Sequence, residues 1–119
     1  MLKKECFLLL CCLIFSVFST LSFAAVPSVK VLGFEDMSCS VWIGSKSDED
    51  TRTLYLMWIR GVLTGHNYAS QSQQVSVVSN GTVEKFVDQF CSTNPKSQFS
   101  EAAFRMSDRF SGRNRAITK

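Results

Sequence analysis

The cysteine positions constrain this chain most. Five cysteines occur in 119 residues, and three of them, Cys6, Cys11 and Cys12, lie in an apolar N-terminal stretch. Only Cys39 and Cys91 lie beyond it. In a small domain of an oxidising compartment, two cysteines favour a disulfide; the other readings are a nucleophile or a metal ligand. If they pair, the closed loop of about 50 residues stabilises the fold by about 4 kcal/mol in the chain-entropy model.

The N-terminal segment has the pattern of a secretory signal peptide. Two lysines precede an almost wholly apolar run at 7–18, and small residues stand at the −3 and −1 positions of a cleavage site after Ala24. The pattern predicts a signal peptide over residues 1–24. The alternative is a retained membrane anchor at residues 6–25, although serine and threonine residues lower the hydrophobicity of its later part. After cleavage we expect no stable membrane insertion.

Cleavage would leave a small chain of nearly balanced charge. Removing 24 of 119 residues leaves 95, and removing Lys3, Lys4 and Glu5 reduces 13 basic and 10 acidic residues to 11 and 9. A formal charge of +2 gives no argument for nucleic acid as a partner. A single domain of this size lies near the lower limit of what a hydrophobic core stabilises without help.

The remaining pattern predicts an all-α domain of four helices stapled by one disulfide. Residues 25–36 form an extended lead-in, with a candidate strand near Val29–Leu32, and residues 112–119 form a basic flexible tail. The helical domain itself covers residues 37–111. Helices are expected at 38–46, 49–69, 82–92 and 96–110.

Capping and breaking residues set these boundaries. Ser47 precedes three acidic residues and is the expected N-cap of the second helix. The polar loop 70–82, with a turn at Asn80-Gly81, is expected to be the most mobile part of the domain. Asn94-Pro95 ends the third helix, and Pro95 suits the first turn of the fourth.

Apolar and small residues recur at helical spacing and predict the core-facing side of each helix. The predicted stripes are Cys39, Trp42 and Ile43; Leu54, Met57, Trp58, Gly61, Val62 and Gly65; Val83, Phe86, Val87, Phe90 and Cys91; and Phe99, Ala102, Ala103, Met106 and Phe110. Phe104 falls off its stripe and is a candidate for a contact surface. Gly61 and Gly65 either admit a neighbouring backbone or mark a helix end with Gly65 as C-cap.

Nothing in the sequence selects a catalytic or metal site. Cys39 or Cys91 with His66, and Asp88 as orienter, supplies the residue types for thiol catalysis, but no local motif accompanies them. A zinc site requires about four ligands, more than Cys39, Cys91 and His66 provide. The acidic run 48–50 lacks the spacing of a calcium-binding loop. We therefore predict a non-enzymatic protein without catalytic residues, metal or cofactor, which acts by binding another protein.

Three segments together resemble the HdeA/HdeB family of bacterial periplasmic proteins. They are "MSCSVWI", "LYLMWIRGVLTGHN" and "VEKFVDQFCSTNPKSQFSEAAFRM", which span about residues 37–106 in the family's order and spacing. The resemblance implies a helical periplasmic domain with a Cys39–Cys91 disulfide. It also implies ATP-independent chaperoning under acid stress, by a protein that is a homodimer at neutral pH and holds unfolded clients in acid.

Two other functions remain open from the sequence. One is a periplasmic immunity protein that binds and inhibits a single secretion-system effector, using a loop such as 70–81. The other is an assembly factor of an envelope machine. In each case the partner is a protein.

Overall fold

The computed structural model describes residues 29–112, and this range is helical. Its helices are α1 (Cys39–Gly44), α2 (Glu49–Ala69), α3 (Asn80–Thr93) and α4 (Phe99–Phe110), with a 3-10 turn at Ser45–Ser47 between the first two. The predicted all-α class with four helices is confirmed, since no strand occurs in this range. The predicted signal peptide and most of the basic tail lie outside the described residues. Among the helices described, none has both the length and the apolar character to cross a membrane.

The lead-in forms no strand, contrary to the expectation for Val29–Leu32. An isolated extended segment has no partner for its backbone groups, and the described residues offer no neighbouring strand. The only strand-like pairing in residues 29–112 is a bridge between Ser38 and Gln98. There the Cys39 N–H donates to the Ser97 carbonyl at 2.9 Å, and the Phe99 N–H donates to the Met37 carbonyl at 2.8 Å. This pairing joins the beginnings of α1 and α4.

Two helix starts differ from the prediction by local capping. Asp48, not Ser47, caps α2, because its carboxylate accepts the Thr51 N–H at 3.1 Å and the Thr51 hydroxyl at 2.7 Å. Asn80-Gly81 lies in the first turn of α3, not in a loop turn, because the Ser79 hydroxyl accepts the Thr82 N–H at 3.1 Å. A side-chain acceptor at the N-cap satisfies a backbone donor that the helix leaves unpaired.

Pro95 lies in the turn before α4 and not in its first turn. Asn94 ends α3 by donating its backbone N–H to the Phe90 carbonyl, and the Ser97 N–H then donates to the Asn94 carbonyl at 3.0 Å. The helix begins four residues after the proline, at Phe99. The Asn-Pro pair therefore makes the corner between α3 and α4, as the sequence indicates, while the helix boundary is later than predicted.

The predicted core stripes of α3 and α4 are confirmed. The side chains of Val83, Val87 and Cys91 are fully buried, as are those of Phe99, Ala102, Ala103 and Met106, with Phe86, Phe90 and Phe110 packed at the edge. In α1, Cys39 and Trp42 are buried, but Ile43 is exposed. The short helix has room to bury only one narrow side.

The predicted stripe of α2 is wrong in part: Trp58 and Val62 pack against the core, but the other members are exposed. The buried residues of this helix are Arg52, Leu56, Ile59 and Leu63, whereas Leu54 and Met57 are 58% and 63% exposed. Both sides of the helix carry apolar residues at three- and four-residue spacing, so spacing alone cannot choose between them. The packing of α2 against α4 makes the choice.

Phe99 is the centre of an aromatic cluster that joins α1, α2 and α4. Its ring centroid lies 4.8 Å from that of Tyr55, 5.7 Å from that of Trp42 and 6.0 Å from that of Trp58. The Trp58 ring stands perpendicular to Phe99, an edge-to-face arrangement that aromatic pairs favour. This cluster fixes how the long helix lies on the rest of the domain.

Candidate functional site

The disulfide links α1 to the end of α3. Cys39 and Cys91 are bonded with their Cα atoms 5.2 Å apart and 52 positions apart in sequence, and both side chains are fully buried. The predicted pairing is confirmed. With both sulfurs in one bond, neither cysteine is available as a nucleophile in the oxidised protein.

The other residues considered for thiol catalysis serve different purposes. The Trp42 indole N–H donates to the Asp88 carboxylate at 2.7 Å. His66 lies at the opposite end of α2, where its Nε2 is 2.8 Å from the Gln73 carbonyl. Asp88 therefore orients a tryptophan, and His66 contacts the loop after α2. Within residues 29–112, no three His, Cys, Asp or Glu side chains are grouped to hold a metal ion.

Arg52 is a buried cation that the sequence pattern does not reveal. Its guanidinium lies 3.8 Å above the Trp42 ring, donates to the Trp42 carbonyl at 2.8 Å, and stands 3.5 Å from the Asp88 carboxylate. Its side chain is only 8% exposed, and its Nε is buried without a hydrogen-bond partner. Because a buried charge requires compensation, Arg52 depends on Asp88 and on the Trp42 ring.

The exposed members of the predicted α2 stripe instead belong to an apolar surface, which we call the outer face. It consists of Leu54, Met57, Gly61, Gly65 and Tyr68 of α2 and Leu32 of the lead-in. Tyr68 is 85% exposed and Leu32 is 78% exposed. The one arginine in this part of α2, Arg60, donates to the Asn80 side chain and the Val78 carbonyl on the α3 side. The outer face is therefore apolar and free of charge over four helical turns.

Gly61 and Gly65 lie open on the outer face. A Cβ atom at either position would meet nothing within 4 Å, so no backbone of the described residues approaches them. Gly65 is not a C-cap either, because α2 continues to Ala69. Neither of the two predicted roles is found within residues 29–112. The glycines instead leave a smooth strip along an exposed helix.

A groove borders the outer face where the lead-in crosses α2. It has a volume of about 390 Å³ and is lined mainly by apolar groups, including those of Leu32, Trp58, Val62 and Phe104. The Trp58 indole donates to the Leu32 carbonyl at 2.8 Å and so holds the lead-in along the groove. Phe104, expected to be exposed, is half-buried at the groove wall.

The loop after α2 is anchored at its middle. The Asn67 side chain pairs with Val75 in both directions, accepting its N–H at 2.7 Å and donating to its carbonyl at 2.9 Å. Val75 is buried as a result, and the neighbouring Val77 is 100% exposed. The polar loop 70–79 is therefore fixed at its centre. One of its apolar side chains, that of Val77, is exposed to solvent.

Two exposed carboxyl groups have lowered pKa values. Hydrogen bonds from the Thr51 side chain and backbone lower the pKa of Asp48, and the Ser38 backbone and side chain lower the pKa of Asp36. In each case the donors favour the ionised carboxylate. Both groups stabilise the start of a helix.

The comparison with protein families agrees with this architecture. The model of the HdeA/HdeB family matches residues 7–101, which is most of the chain. No curated protein sequence and no solved structure gives a significant match. The family match covers all of α1, α2 and α3 with both cysteines. This protein belongs to the HdeA/HdeB family.

Proposed function

We propose that this protein is a periplasmic, ATP-independent chaperone that holds apolar segments of unfolded proteins during acid stress. The observation that carries the proposal is the outer face. Contiguous exposed apolar residues on a small soluble domain mark a contact surface, and here they extend along α2 and into the adjoining groove. Membership of the HdeA/HdeB family supports the same function.

The charge balance fits a role in acid. Protonation of the carboxylates would leave the basic residues uncompensated, and a chain of high positive charge resists aggregation. It would also remove the carboxylate interactions that stabilise the folded form. The protonated protein would then expose apolar surface while its high positive charge keeps it in solution.

At neutral pH, a second copy of the chain is the proposed occupant of the outer face. An apolar face without charges can pair with itself across a two-fold axis, and Gly61 and Gly65 allow two α2 helices to approach closely. Sedimentation at several concentrations should show a dimer that Gly61→Leu weakens. A monomer at all concentrations would contradict this part of the proposal.

The chaperone proposal is tested by aggregation of a model client at pH 2–3 and at pH 7. We expect suppression in acid only, and reduced suppression by the double variant Leu54→Ser/Met57→Ser. Val77→Ser is the matched control, because Val77 is equally apolar and fully exposed but lies on the loop. Absence of suppression at both pH values would refute the proposal.

The exposed Val77 also favours the immunity function as a second candidate. Binding residues are often located on loops that a rigid scaffold holds in position, and this loop presents one apolar side chain at its surface. Capture of one secretion-system effector at neutral pH, lost in Val77→Asp and retained in Met57→Ser, would favour this function over chaperoning.

A further inference from the structure

The loop after α2 lies along that helix and is attached to it at two points. At one end the Asn67 side chain holds both backbone groups of Val75, and at the other Arg60 donates to the Val78 carbonyl at 2.8 Å. The anchors on α2 are separated by a helical rise of about 10 Å, which the three residue steps of the loop cover at about 3.4 Å each in an extended chain. Residues 75–78 therefore run extended along α2, in the opposite direction.

The middle of this segment has backbone groups without partners. Val75 uses both of its backbone groups and Val78 its carbonyl, but within residues 29–112 the N–H and C=O groups of Ser76 and Val77 make no hydrogen bond. Both residues are exposed, Val77 completely. An extended peptide can add to an exposed segment of this kind through main-chain hydrogen bonds. The loop therefore presents a short edge for a further chain.

Arg60 brings a positive charge to the same place. Its Nε donates to the Asn80 side chain and its Nη2 to the Val78 carbonyl, both at 2.8 Å. These contacts hold the guanidinium in one position and leave other N–H groups of it free. Among the described residues, no carboxylate lies within 4.0 Å of Arg60. Arg60 is therefore a fixed cation that can accept a carboxylate from outside the domain.

A cleft lies between Arg60 and the loop. It has a volume of about 180 Å³, and its walls include Leu63, Thr64 and Asn67 of α2 and residues 75–78. Because a water molecule occupies about 30 Å³ in the liquid, the cleft has room for one side chain that bears a carboxylate or for the end of a peptide. The size of the cleft and the charge of Arg60 thus select the same kind of ligand.

We propose that this cleft binds the carboxylate of an extended peptide. Arg60 pairs with the carboxylate, and the free backbone groups of Ser76 and Val77 pair with the peptide chain beside it. A guanidinium can donate two parallel N–H bonds to the two carboxylate oxygens, and an arginine that is already fixed loses little side-chain entropy on binding. The carboxylate belongs either to an acidic side chain or to the C-terminus of the partner. The inference goes beyond both proposed functions and requires neither the outer face nor acid.

The first test uses synthetic pentapeptides of alternating valine and threonine at pH 7. One peptide ends in a free carboxylate, a second is amidated and carries one aspartate, and a third is amidated without an acidic residue. In NMR titrations of the oxidised protein, the first or the second should shift the Arg60 Nε–H resonance together with the Ser76 and Val77 amides. The third should bind roughly tenfold more weakly, because it lacks the charged acceptor.

The comparison of the first two peptides identifies the source of the carboxylate. Stronger binding of the free terminus assigns a C-terminal ligand, and stronger binding of the aspartate peptide assigns a side-chain ligand. Equal binding of the neutral amidated peptide would overturn the proposal. So would the absence of binding by all three peptides at millimolar concentration.

The variant Asn80→Asp tests Arg60 without detaching the loop. It places a carboxylate at the Arg60 Nε, where it competes with the ligand, and an acidic residue in the first turn of α3 suits the helix. We expect an undiminished Tm and roughly tenfold weaker binding of the carboxylate peptide. The matched control Gln89→Glu adds the same charge at an exposed position further along α3 and should bind as the wild type. Equal affinity of Asn80→Asp and the wild type would overturn the proposal.

Proline substitutions test the backbone pairing. Ser76→Pro and Val77→Pro each remove one exposed N–H and keep an extended chain, so at least one of them should weaken peptide binding several-fold. Ser76→Ala and Val77→Ala keep the N–H groups and should bind as the wild type. Wild-type affinity in both proline variants would overturn the pairing. Because the probes include neither a client nor an effector, failure of this site and failure of either proposed function are distinguishable.

Discussion

Trp58 and Leu32 are joined by a hydrogen bond that spans the lead-in and the long helix. The indole N–H of Trp58 reaches the Leu32 carbonyl at 2.8 Å, while the same ring stands edge-on to Phe99 in the core. One side chain therefore has its ring in the aromatic cluster and its polar atom on the lead-in. The position of residues 29–36 over the groove depends on this contact.

Replacing Trp58 by phenylalanine should release the lead-in without unfolding the core. The variant keeps an aromatic ring near Phe99 but loses the donor, so we expect a loss of about 1 kcal/mol in the free energy of unfolding. Hydrogen exchange or proteolysis should accelerate in residues 29–36 and remain unchanged in α3. Unchanged exchange in the lead-in would contradict the anchoring role.

Removal of the disulfide should cost much of the stability. For a separation of 52 residues, the double variant Cys39→Ser/Cys91→Ser is expected to lose about 4 kcal/mol of unfolding free energy. Reduction of the wild type should lower its Tm to a similar extent. A reduced protein that unfolds at the temperature of the oxidised one would contradict the expectation.

Ile59 and Met57 form a matched pair on opposite sides of α2. Ile59 is fully buried, so Ile59→Ala should destabilise the fold by roughly 2–5 kcal/mol. Met57 is 63% exposed, and Met57→Ala should change stability by less than about 0.5 kcal/mol. Denaturant unfolding of both variants, at concentrations where the chain is monomeric, measures the difference. Similar losses would mean that both sides of α2 are covered.

The open glycines should accept alanine, while Gly33 should not. Nothing lies near a Cβ at Gly61 or Gly65 in the single chain, so each alanine should raise the free energy of unfolding of the monomer by up to about 1 kcal/mol through helix propensity. A Cβ at Gly33 would lie 2.9 Å from the Met37 sulfur and 3.0 Å from the Trp58 Nε1. We expect Gly33→Ala to lower the Tm and to disturb the Trp58–Leu32 contact, whereas equal effects at all three sites would be inconsistent with this packing.

The Asp48 cap should add a pH dependence to stability. Its pKa is lowered from the ordinary value of 3.8 by Thr51, so its contribution is complete above that value and disappears as the pH falls through the lower folded pKa. Asp48→Asn keeps a capping oxygen without titration. The Tm difference between wild type and this variant should be constant at neutral pH and should shrink only below pH 3.8. A difference that persists unchanged in strong acid would contradict the assignment.

Helix class and the inward sides of α3 and α4 could be read from the sequence, because each of these helices carries its apolar residues, apart from Phe104, on one side. Val83, Val87 and Cys91 fall on a single stripe, and the polar residues between them leave no alternative. The disulfide could also be predicted, since only Cys39 and Cys91 lie beyond the apolar N-terminal stretch. Local periodicity and residue counts are sufficient for such features.

The orientation of α2 was decided only by tertiary packing. Leu56, Ile59 and Leu63 have the same helical spacing as the exposed Leu54, Met57 and Gly61, so both sides satisfy the pattern. Burial of Leu56, Ile59 and Leu63 also places Arg52 inside the domain. A buried guanidinium is tolerated there only because the fold brings the Trp42 ring and Asp88 to it from α1 and α3. Contacts between residues 36 and 46 positions apart cannot be read from local spacing. These contacts left Leu54, Met57, Gly61 and Gly65 of the predicted stripe on the exposed outer face.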